Sequence, residues 1–230
     1  MVNEQMIKYA FIDIDDTLLD FDKNATLAVK MAFNDVGLTF KEEYGPWFLE
    51  INDGLWKKIE KKELTRVGLH EIRFNVVLKE FGLNGDGKVV EELFRKYLFD
   101  LAIPVDGALD LVKYLSSKYI LCAASNAIYL QQINRLKKAE MLEYFDKIFV
   151  SELIGHNKPN KEFFDACFSE LDGATPQNTV MIGDSLSADI KGANDYGMRT
   201  IWFNKKKVQI PSQKIYSEMV MDLSDVKKYL

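Results

Sequence analysis

Three carboxylates follow a short apolar run near the start of the chain. The run Tyr9–Ile12 leads directly into Asp13, Asp15 and Asp16. If an extended strand continues through them, alternation places Asp13 and Asp15 on one side. Two carboxylates about 4 Å apart repel each other by about 4 kcal/mol at an effective dielectric of about 20, so a nearby cation is expected. Mg²⁺ fits because it prefers oxygen ligands, although Asp16 and Thr17 could instead only turn or cap the chain.

A second acidic pair follows another apolar run. Val180–Ile182 leads through Gly183 to Asp184, and Asp189 comes five residues later. In a doubly wound sheet the carboxyl ends of such strands converge on one crevice. Asp184 would then join the metal ligands, and Asp189 could bind the ion directly or hold one of its waters. Asp189 alone could equally be a favourable carboxylate at a helix start.

Two further predicted strand ends carry groups that suit an anionic substrate. Ser125 and Asn126 follow Tyr119–Ala124 and offer a hydroxyl and N–H donors for a phosphate oxygen, although Ser125 could equally be a helix N-cap. Lys158 follows Ile148–Val150 and a loop. A lysine at such a place is usually solvated, but beside two acidic strand ends it would offset carboxylate and phosphate charge.

The elements that must position these residues alternate along the chain. Apolar runs followed by helical patterns predict an α/β fold with a doubly wound parallel sheet. The predicted strands are Tyr9–Ile12, Tyr119–Ala124, Ile148–Val150 and Val180–Ile182, with Ile201–Phe203 as a fifth.

One interval is too long to be a simple crossover between parallel strands. It has helical apolar spacing from about Asp22 to Leu101. We therefore expect an all-helical cap domain at residues 22–102, inserted into a core formed by residues 1–21 and 103–230. The cap is expected to pack over the carboxyl ends of the strands, with hinges near Leu19–Asp22 and Ile103–Gly107.

Composition excludes several classes of protein. The chain has 230 residues, of which 47% are hydrophobic. Its net charge is −5, whereas a protein that binds nucleic acids or anionic membranes is expected to carry a positive electrostatic field. Two distant cysteines, Cys122 and Cys167, disfavour a disulfide framework and a zinc site. The N-terminal segment Met1–Ile12 contains too short an apolar stretch for a signal peptide, and no run approaches the ~20 apolar residues of a membrane span. We expect a cytoplasmic protein.

The ordered motifs resemble those of the haloacid dehalogenase (HAD) superfamily of hydrolases, which have a Rossmann-like core, here with a helical C1-type cap. The four motifs are Asp13-x-Asp15-x-Thr17, Ser125-Asn126, Lys158-Pro159 and Gly183-Asp184-Ser185-x-x-x-Asp189. The segments Ile51–Trp56 and Arg73-Phe74 are similar to the subgroup that includes pyrimidine 5′-nucleotidases.

This resemblance implies a role for each motif. Asp13 would attack phosphorus to form an aspartyl-phosphate, and Asp15 would carry the proton. Ser125 and Lys158 would stabilise charge on the phosphoryl group, and Asn126 would help to bind it. The implied Mg²⁺ ligands are Asp13, Asp15 (through its backbone carbonyl), Asp184 and Asp189.

Two residues of the expected cap are candidates for substrate binding. Trp56 could stack on a base or only hold the cap helices together. Arg73 could reach substrate or pair with a glutamate on its own helix. A charge run at Lys205–Lys207 is expected to be a solvated loop.

The resulting functional hypothesis is a Mg²⁺-dependent phosphatase acting on a small phosphomonoester. The resemblance favours a pyrimidine nucleoside 5′-monophosphate as the substrate. We expect a monomer or a homodimer. Alternatives are a sugar-phosphate phosphatase or phosphomutase, a 2-haloacid dehalogenase, which needs no metal, and a non-catalytic phospholigand-binding regulator.

Overall fold

Two compact units make up the chain in the computed structural model, which describes residues 6–230. Among the described residues, the core unit comprises residues 6–20 and 104–230, and the helical unit comprises Phe21–Ile103. Each junction lies one residue from the boundary expected from the sequence. Residues 1–5, which belong to the segment used to argue against a signal peptide, lie outside the described part of the chain.

A six-stranded parallel sheet forms the centre of the core unit, with the order β3-β2-β1-β4-β5-β6. Its strands are β1 Tyr9–Ile12, β2 Ile120–Ser125, β3 Lys147–Val150, β4 Thr179–Gly183, β5 Arg199–Phe203 and β6 Glu218–Val220. The doubly wound parallel sheet predicted from the sequence is therefore confirmed. The sixth strand was not predicted, because three residues carry too little periodicity.

Apolar side chains cover both faces of this sheet. Ala10 and Ile12 of β1 pack into one buried cluster, and Tyr9 and Phe11 pack into another. The alternation arises because successive side chains of a strand point to opposite faces. Burial on both faces also explains why the strands appear in the sequence as continuous apolar runs.

Helices connect the strands of the core unit. They are α5 Ala108–Ser116, α6 Tyr129–Lys138, α7 Ser151–Ile154, α8 Lys161–Ser169 and α9 Gly192–Tyr196, and a π-helical segment, Leu186–Lys191, precedes α9. Short 3₁₀ segments occur at Leu142–Tyr144, Pro176–Asn178 and Leu223–Tyr229.

The helical unit contains four helices, α1 Phe21–Asp35, α2 Tyr44–Glu60, α3 Arg66–Glu80 and α4 Gly87–Asp100. Phe48, Phe74 and Phe94 lie at its centre with ring centroids 5.2–5.6 Å apart. The N-termini of α3 and α4 are capped by Thr65 and Asp86, whose side chains accept backbone N–H bonds. No helix among the described residues is both long enough and apolar enough to span a membrane.

Candidate active site

The carboxyl ends of three neighbouring strands bring the predicted motifs together. Ile12 of β1 is in register with Ala123 of β2 and with Ile182 of β4. Asp13 and Asp184 follow the ends of β1 and β4, and Ser125 is the last residue of β2. From β1 the sheet continues to β2 and β3 on one side and to β4, β5 and β6 on the other, so the strand order switches at β1. Doubly wound sheets form a ligand crevice at such a switch point.

The relation between Asp13 and Asp15 differs from the one expected by strand alternation. β1 ends at Ile12, and the following residues form a tight turn. In this turn the N–H groups of Leu18 and Leu19 both donate to Ile14 O at 2.8 Å. The carboxylates of Asp13 and Asp15 consequently have different partners, although both belong to the site.

Lys158 joins the first and last motifs. Its Nζ lies 2.7 Å from Asp13 Oδ1 and 2.6 Å from Asp189 Oδ1, and it also donates to the carbonyl of Ala124. Only 1% of Lys158 is exposed, so the solvated position that is usual for a loop lysine does not apply. Burial alone would lower the pKa of Lys158, but the Asp13 and Asp189 carboxylates outweigh it and raise the pKa above its ordinary value.

Three carboxylates form an acidic group around this lysine. Among the described residues, Asp13, Asp184 and Asp189 each offer an oxygen within 4.8 Å of the others. Burial raises the pKa of Asp13 and of Asp184, and Asp189 adds to both shifts, while Lys158 opposes the shift at Asp13. Asp13 and Asp189 are buried and Asp184 is half-buried. One ammonium beside three carboxylates leaves excess negative charge, and the donors are all oxygen, so the group fits a hard divalent cation.

Asp184 is held from two directions. Its N–H donates to Thr17 Oγ1 at 3.1 Å, and Thr17 Oγ1 lies 3.3 Å from Asp184 Oδ1. The indole of the buried Trp202 donates to the Asp184 carbonyl at 2.9 Å. Thr17 therefore links the first motif to the fourth and does not act only as a local turn residue.

Asp189 lies at the start of a helical segment and also contacts Lys158, while its role at the metal stays a prediction. Ser185 N donates to its Oδ2 at 3.1 Å, while Ser185 Oγ accepts from Ala188 N at 3.1 Å, so the carboxylate stabilises the start of a helical segment. Its other oxygen contacts Lys158. A Cβ at Gly183 would lie 2.2 Å from Asp189 Oδ2, so this approach requires glycine.

Asp15 is held by two residues of α6. Arg135 Nη1 donates to Asp15 Oδ1 at 2.6 Å, and Gln132 Nε2 donates to Asp15 Oδ2 at 2.7 Å. Gln132 Nε2 also donates to Ser125 Oγ at 2.9 Å. Because α6 begins at Tyr129, whose N–H donates to Glu152 Oε2, Ser125 is not the N-cap of this helix.

Asn126 positions the backbone of Lys158. Its Nδ2 donates to the Lys158 carbonyl at 2.9 Å, and its Oδ1 accepts from the Lys158 N–H at 2.8 Å. The expected substrate contact of Asn126 stays a prediction, whereas this paired bond ties the second motif to the third.

The lysine run after β5 is not simply solvated. Lys206 Nζ lies 2.7 Å from Asp16 Oδ2, and Lys205 Nζ lies 3.1 Å from Asp20 Oδ2. Both carboxylates belong to buried residues. The expectation of a free surface loop is corrected, because neighbours in space, not in sequence, supply the charge partners.

The haloacid dehalogenase-like hydrolase family model matches residues 7–197 of the chain. The chain belongs to this family. The resemblance inferred from the four motifs is thus confirmed for most of the HAD core and for the whole helical unit.

Several HAD relatives align over most of their length. YfnB of Bacillus subtilis, named as a HAD hydrolase, is 36% identical over 84% of this chain and 82% of its own. The pyrimidine 5′-nucleotidase PynA of Streptococcus pneumoniae is 32% identical over 91% of each chain. The pyrimidine 5′-nucleotidase YjjG of Escherichia coli is 26% identical over 96% of this chain and 97% of its own.

A solved HAD structure has the same fold. The magnesium-bound crystal structure of YfnB, described as revealing interdomain movement, superimposes with a TM-score of 0.92 at 32% identity. The match covers 98% of this chain and 99% of that one.

Arg73 lies in the interior of the helical unit of this HAD protein. It is 4% exposed, its Nε and Nη2 contact the Glu91 carboxylate at 3.0 and 2.6 Å, and its Nη1 donates to Asn52 Oδ1 at 3.0 Å. Its guanidinium also lies 4.5 Å from the centroid of the Phe94 ring. These contacts lie within the helical unit, and a substrate contact by Arg73 stays a prediction. The alternative, a pair with a glutamate on its own helix, is corrected, since Glu91 belongs to α4 and not to the helix of Arg73.

Trp56 is partly buried in the helical unit. It packs against the small apolar cluster of Leu55, Ile59 and Leu69. This contact agrees with a packing role, and a substrate contact by Trp56 stays a prediction.

Two residues of the HAD site escaped the sequence analysis. Gln132 and Arg135 are both fully buried although their side chains are polar. The available signal was their position on one face of α6 with Leu136, since residues three and four apart share a helix face. Polar residues on a buried face require partners, and the nearby motif contains them.

Proposed function

We propose that this HAD hydrolase is a Mg²⁺-dependent phosphomonoesterase whose nucleophile is Asp13. The observation that carries the proposal is the contact of Lys158 Nζ with Asp13 Oδ1 at 2.7 Å inside the group completed by Asp184 and Asp189. A buried carboxylate next to an ammonium and a cation-binding group suits attack on a phosphate ester, because both positive charges would face the phosphoryl oxygens.

The first chemical step is transfer of the phosphoryl group to the enzyme. An oxygen of Asp13 bonds to phosphorus, the bond from phosphorus to the ester oxygen breaks, and the leaving alkoxide takes a proton from the carboxylic acid of Asp15. The products are the alcohol and an aspartyl-phosphate. Splitting hydrolysis into two displacements lowers the barrier of each.

The second step returns the enzyme to its starting state. Water bonds to phosphorus, its proton goes to the Asp15 carboxylate, and the bond between phosphorus and the Asp13 oxygen breaks to release inorganic phosphate. Lys158 and the Ser125 hydroxyl stabilise the phosphoryl oxygens in both steps.

The divalent site consists of Asp13, Asp184 and Asp189. Mg²⁺ bound there would neutralise charge on the phosphoryl group as a Lewis acid. The all-oxygen donor set supports this choice, as does the relative YfnB, whose structure is described as bound to magnesium. The backbone carbonyl of Asp15 remains the predicted fourth protein ligand.

The proposed substrate is a pyrimidine nucleoside 5′-monophosphate. The support is likeness to two pyrimidine 5′-nucleotidases, PynA and YjjG, over more than 90% of this chain and of theirs. A nucleotide also satisfies the chemistry of the site, since its phosphate is a monoester of a primary alcohol that needs a proton as it leaves.

A panel of substrates tests both the proposed reaction and the proposed substrate. Phosphate release is measured from nucleoside 5′-monophosphates and sugar phosphates, and halide release from 2-haloacids, with Mg²⁺ and with EDTA. We expect Mg²⁺-dependent phosphate release, fastest from pyrimidine nucleotides and absent in Asp13→Asn. Preference for sugar phosphates would overturn the substrate assignment, transfer to a second hydroxyl would indicate a mutase, and halide release would overturn the reaction class.

The covalent step has its own test. Borohydride reduces an acyl phosphate to an alcohol, so trapping during turnover should convert Asp13 to homoserine, which peptide mass spectrometry detects. An unmodified peptide containing Asp13 under conditions of rapid turnover would remove the aspartyl-phosphate from the mechanism.

A further inference from the structure

A buried polar network connects Asp15 to Ser125 through α6. Gln132 and Arg135 lie one helical turn apart, and both are fully buried. The side chain of Asp15 is 29% exposed. The network therefore extends from the interior of the core unit to a carboxylate with an open side.

The hydrogen bonds fix the orientation of the Gln132 amide. Its Nε2 donates one proton to Asp15 Oδ2 and one to Ser125 Oγ, and its Oε1 accepts from Arg135 Nη1 at 3.1 Å. An amide has two N–H donors and one carbonyl oxygen, and all three groups are used. A rotated amide would place its oxygen against the Asp15 carboxylate.

Both carboxylate oxygens of Asp15 are held by different donors. Arg135 contacts Oδ1 and Gln132 contacts Oδ2, so the plane of the carboxylate is set from two points. Each oxygen retains a further lone pair for proton transfer. Ser125 uses its oxygen to accept from Gln132, and its own proton stays available to a phosphoryl oxygen.

We infer that Gln132 and Arg135 are positioning residues that align the proton carrier Asp15 with the phosphate contact Ser125. This inference rests on the proposed phosphomonoesterase function. Burying a guanidinium is costly unless it is paired. The buried guanidinium of Arg135 is paired with the Asp15 carboxylate at the edge of the site. The result is a fixed distance between the group that protonates the leaving oxygen and the group that holds the phosphoryl oxygens.

The leaving group distinguishes positioning from simple structural support. An alkyl phosphate needs a proton from Asp15 as its bond to phosphorus breaks, whereas p-nitrophenolate leaves without one. General acid catalysis contributes about 10²–10⁴-fold. Loss of alignment should therefore slow alkyl phosphates selectively, and a loosened fold should slow both substrates equally.

The experiment compares Gln132→Met with the matched control Gln131→Met on the neighbouring, less buried position of α6. kcat/KM is measured for p-nitrophenyl phosphate and for the alkyl phosphate that the unaltered enzyme hydrolyses best. We expect Gln132→Met to lower kcat/KM at least about tenfold for the alkyl ester and less than about threefold for the nitrophenyl ester. Gln131→Met should change neither.

Two further comparisons between variants protect the test against misfolding. Arg135→Lys keeps a positive charge near Asp15 and should recover most of the alkyl-phosphate activity lost in Arg135→Met. In an Asp15→Asn background, Gln132→Met should cause no additional selective loss, because residues acting through one group are not additive.

The outcomes separate the two proposals. Equal losses for both esters, or no loss in Gln132→Met, would overturn the positioning role while leaving the phosphatase intact. If the unaltered enzyme hydrolyses no alkyl phosphate, the proposed function fails and the inference fails with it.

Discussion

Lys158 Nζ and Asp13 Oδ1 lie 2.7 Å apart, although the two residues are 145 positions apart in the chain. Both are buried, and Asp189 contacts the same ammonium. The strand ends after β1 and β4 and the loop before α8 therefore meet at one charge centre.

Replacing Lys158 with Met should harm both stability and activity. Removing one partner of a buried ion pair leaves uncompensated charge and costs about 3–5 kcal/mol. Loss of charge stabilisation at the phosphoryl group should lower kcat by about 10²–10³-fold. Urea unfolding and steady-state kinetics measure the two effects.

Lys147→Met is the matched control for this change. Its partner is Glu170 at 3.1 Å, and both side chains are largely exposed, so its loss should cost no more than about 1 kcal/mol. Similar effects of the two substitutions would contradict the assigned role of Lys158.

Mg²⁺ should raise the Tm of the protein, and Asp184→Asn should weaken that effect. A ligand that binds only the folded state adds about 2.7 kcal/mol at 100 times its Kd. Asparagine removes the negative charge and replaces one carboxylate oxygen with an NH₂ group, leaving only a neutral amide oxygen as a weaker ligand. Asp195→Asn, at an exposed aspartate paired with Lys191, should leave the Mg²⁺ response unchanged. A full Mg²⁺ shift in Asp184→Asn would exclude this carboxylate as a ligand.

Gly183→Ala should disturb the site through Asp189. The added Cβ would meet Asp189 Oδ2 at 2.2 Å, so the Asp189 carboxylate must shift, which would disturb the contact of its other oxygen with Lys158. We expect lower kcat and weaker Mg²⁺ binding. Gly54→Ala in α2 meets nothing within 4 Å and should preserve both; unchanged kinetics in Gly183→Ala would refute the steric argument.

The Arg73 and Glu91 pair should behave as a structural unit. Either Arg73→Met or Glu91→Met alone should destabilise the protein by about 3–5 kcal/mol, while the double substitution should cost less than either single change. Because Arg73 is buried among its own partners, the folded double variant should keep the kcat/KM of the unaltered enzyme. A selective rise in KM would instead restore Arg73 as a substrate contact.

His70 should make the protein sensitive to mild acid. Burial, with help from Arg95, lowers the pKa of His70 to about 4. The unfolded chain binds this proton below about pH 6.5, so stability is lost as pH falls from there towards 4. His70→Gln should lose less stability than the unaltered protein between pH 7 and pH 5 in urea titrations. Parallel losses in the two proteins would show that His70 does not cause the acid sensitivity.

The sequence by itself determined the class of fold and the residues at the strand ends. Apolar runs alternating with helical patterns indicated a doubly wound sheet. Four candidate residues followed the predicted strands, namely Asp13, Ser125, Lys158 and Asp184. These signals are local, because a buried strand or a turn can be recognised from the types of a few consecutive residues.

Only the tertiary structure decided which side chains meet. It placed Gln132 and Arg135 beside Asp15, turned Arg73 into the interior towards Glu91, and gave Lys205 and Lys206 acidic partners. Each of these contacts joins residues from different parts of the chain. The distance between such residues in the folded protein cannot be obtained from a single sequence. The physical reason is that a polar side chain is buried only where the fold supplies its partner, and that partner is chosen by packing in space and not by spacing along the chain.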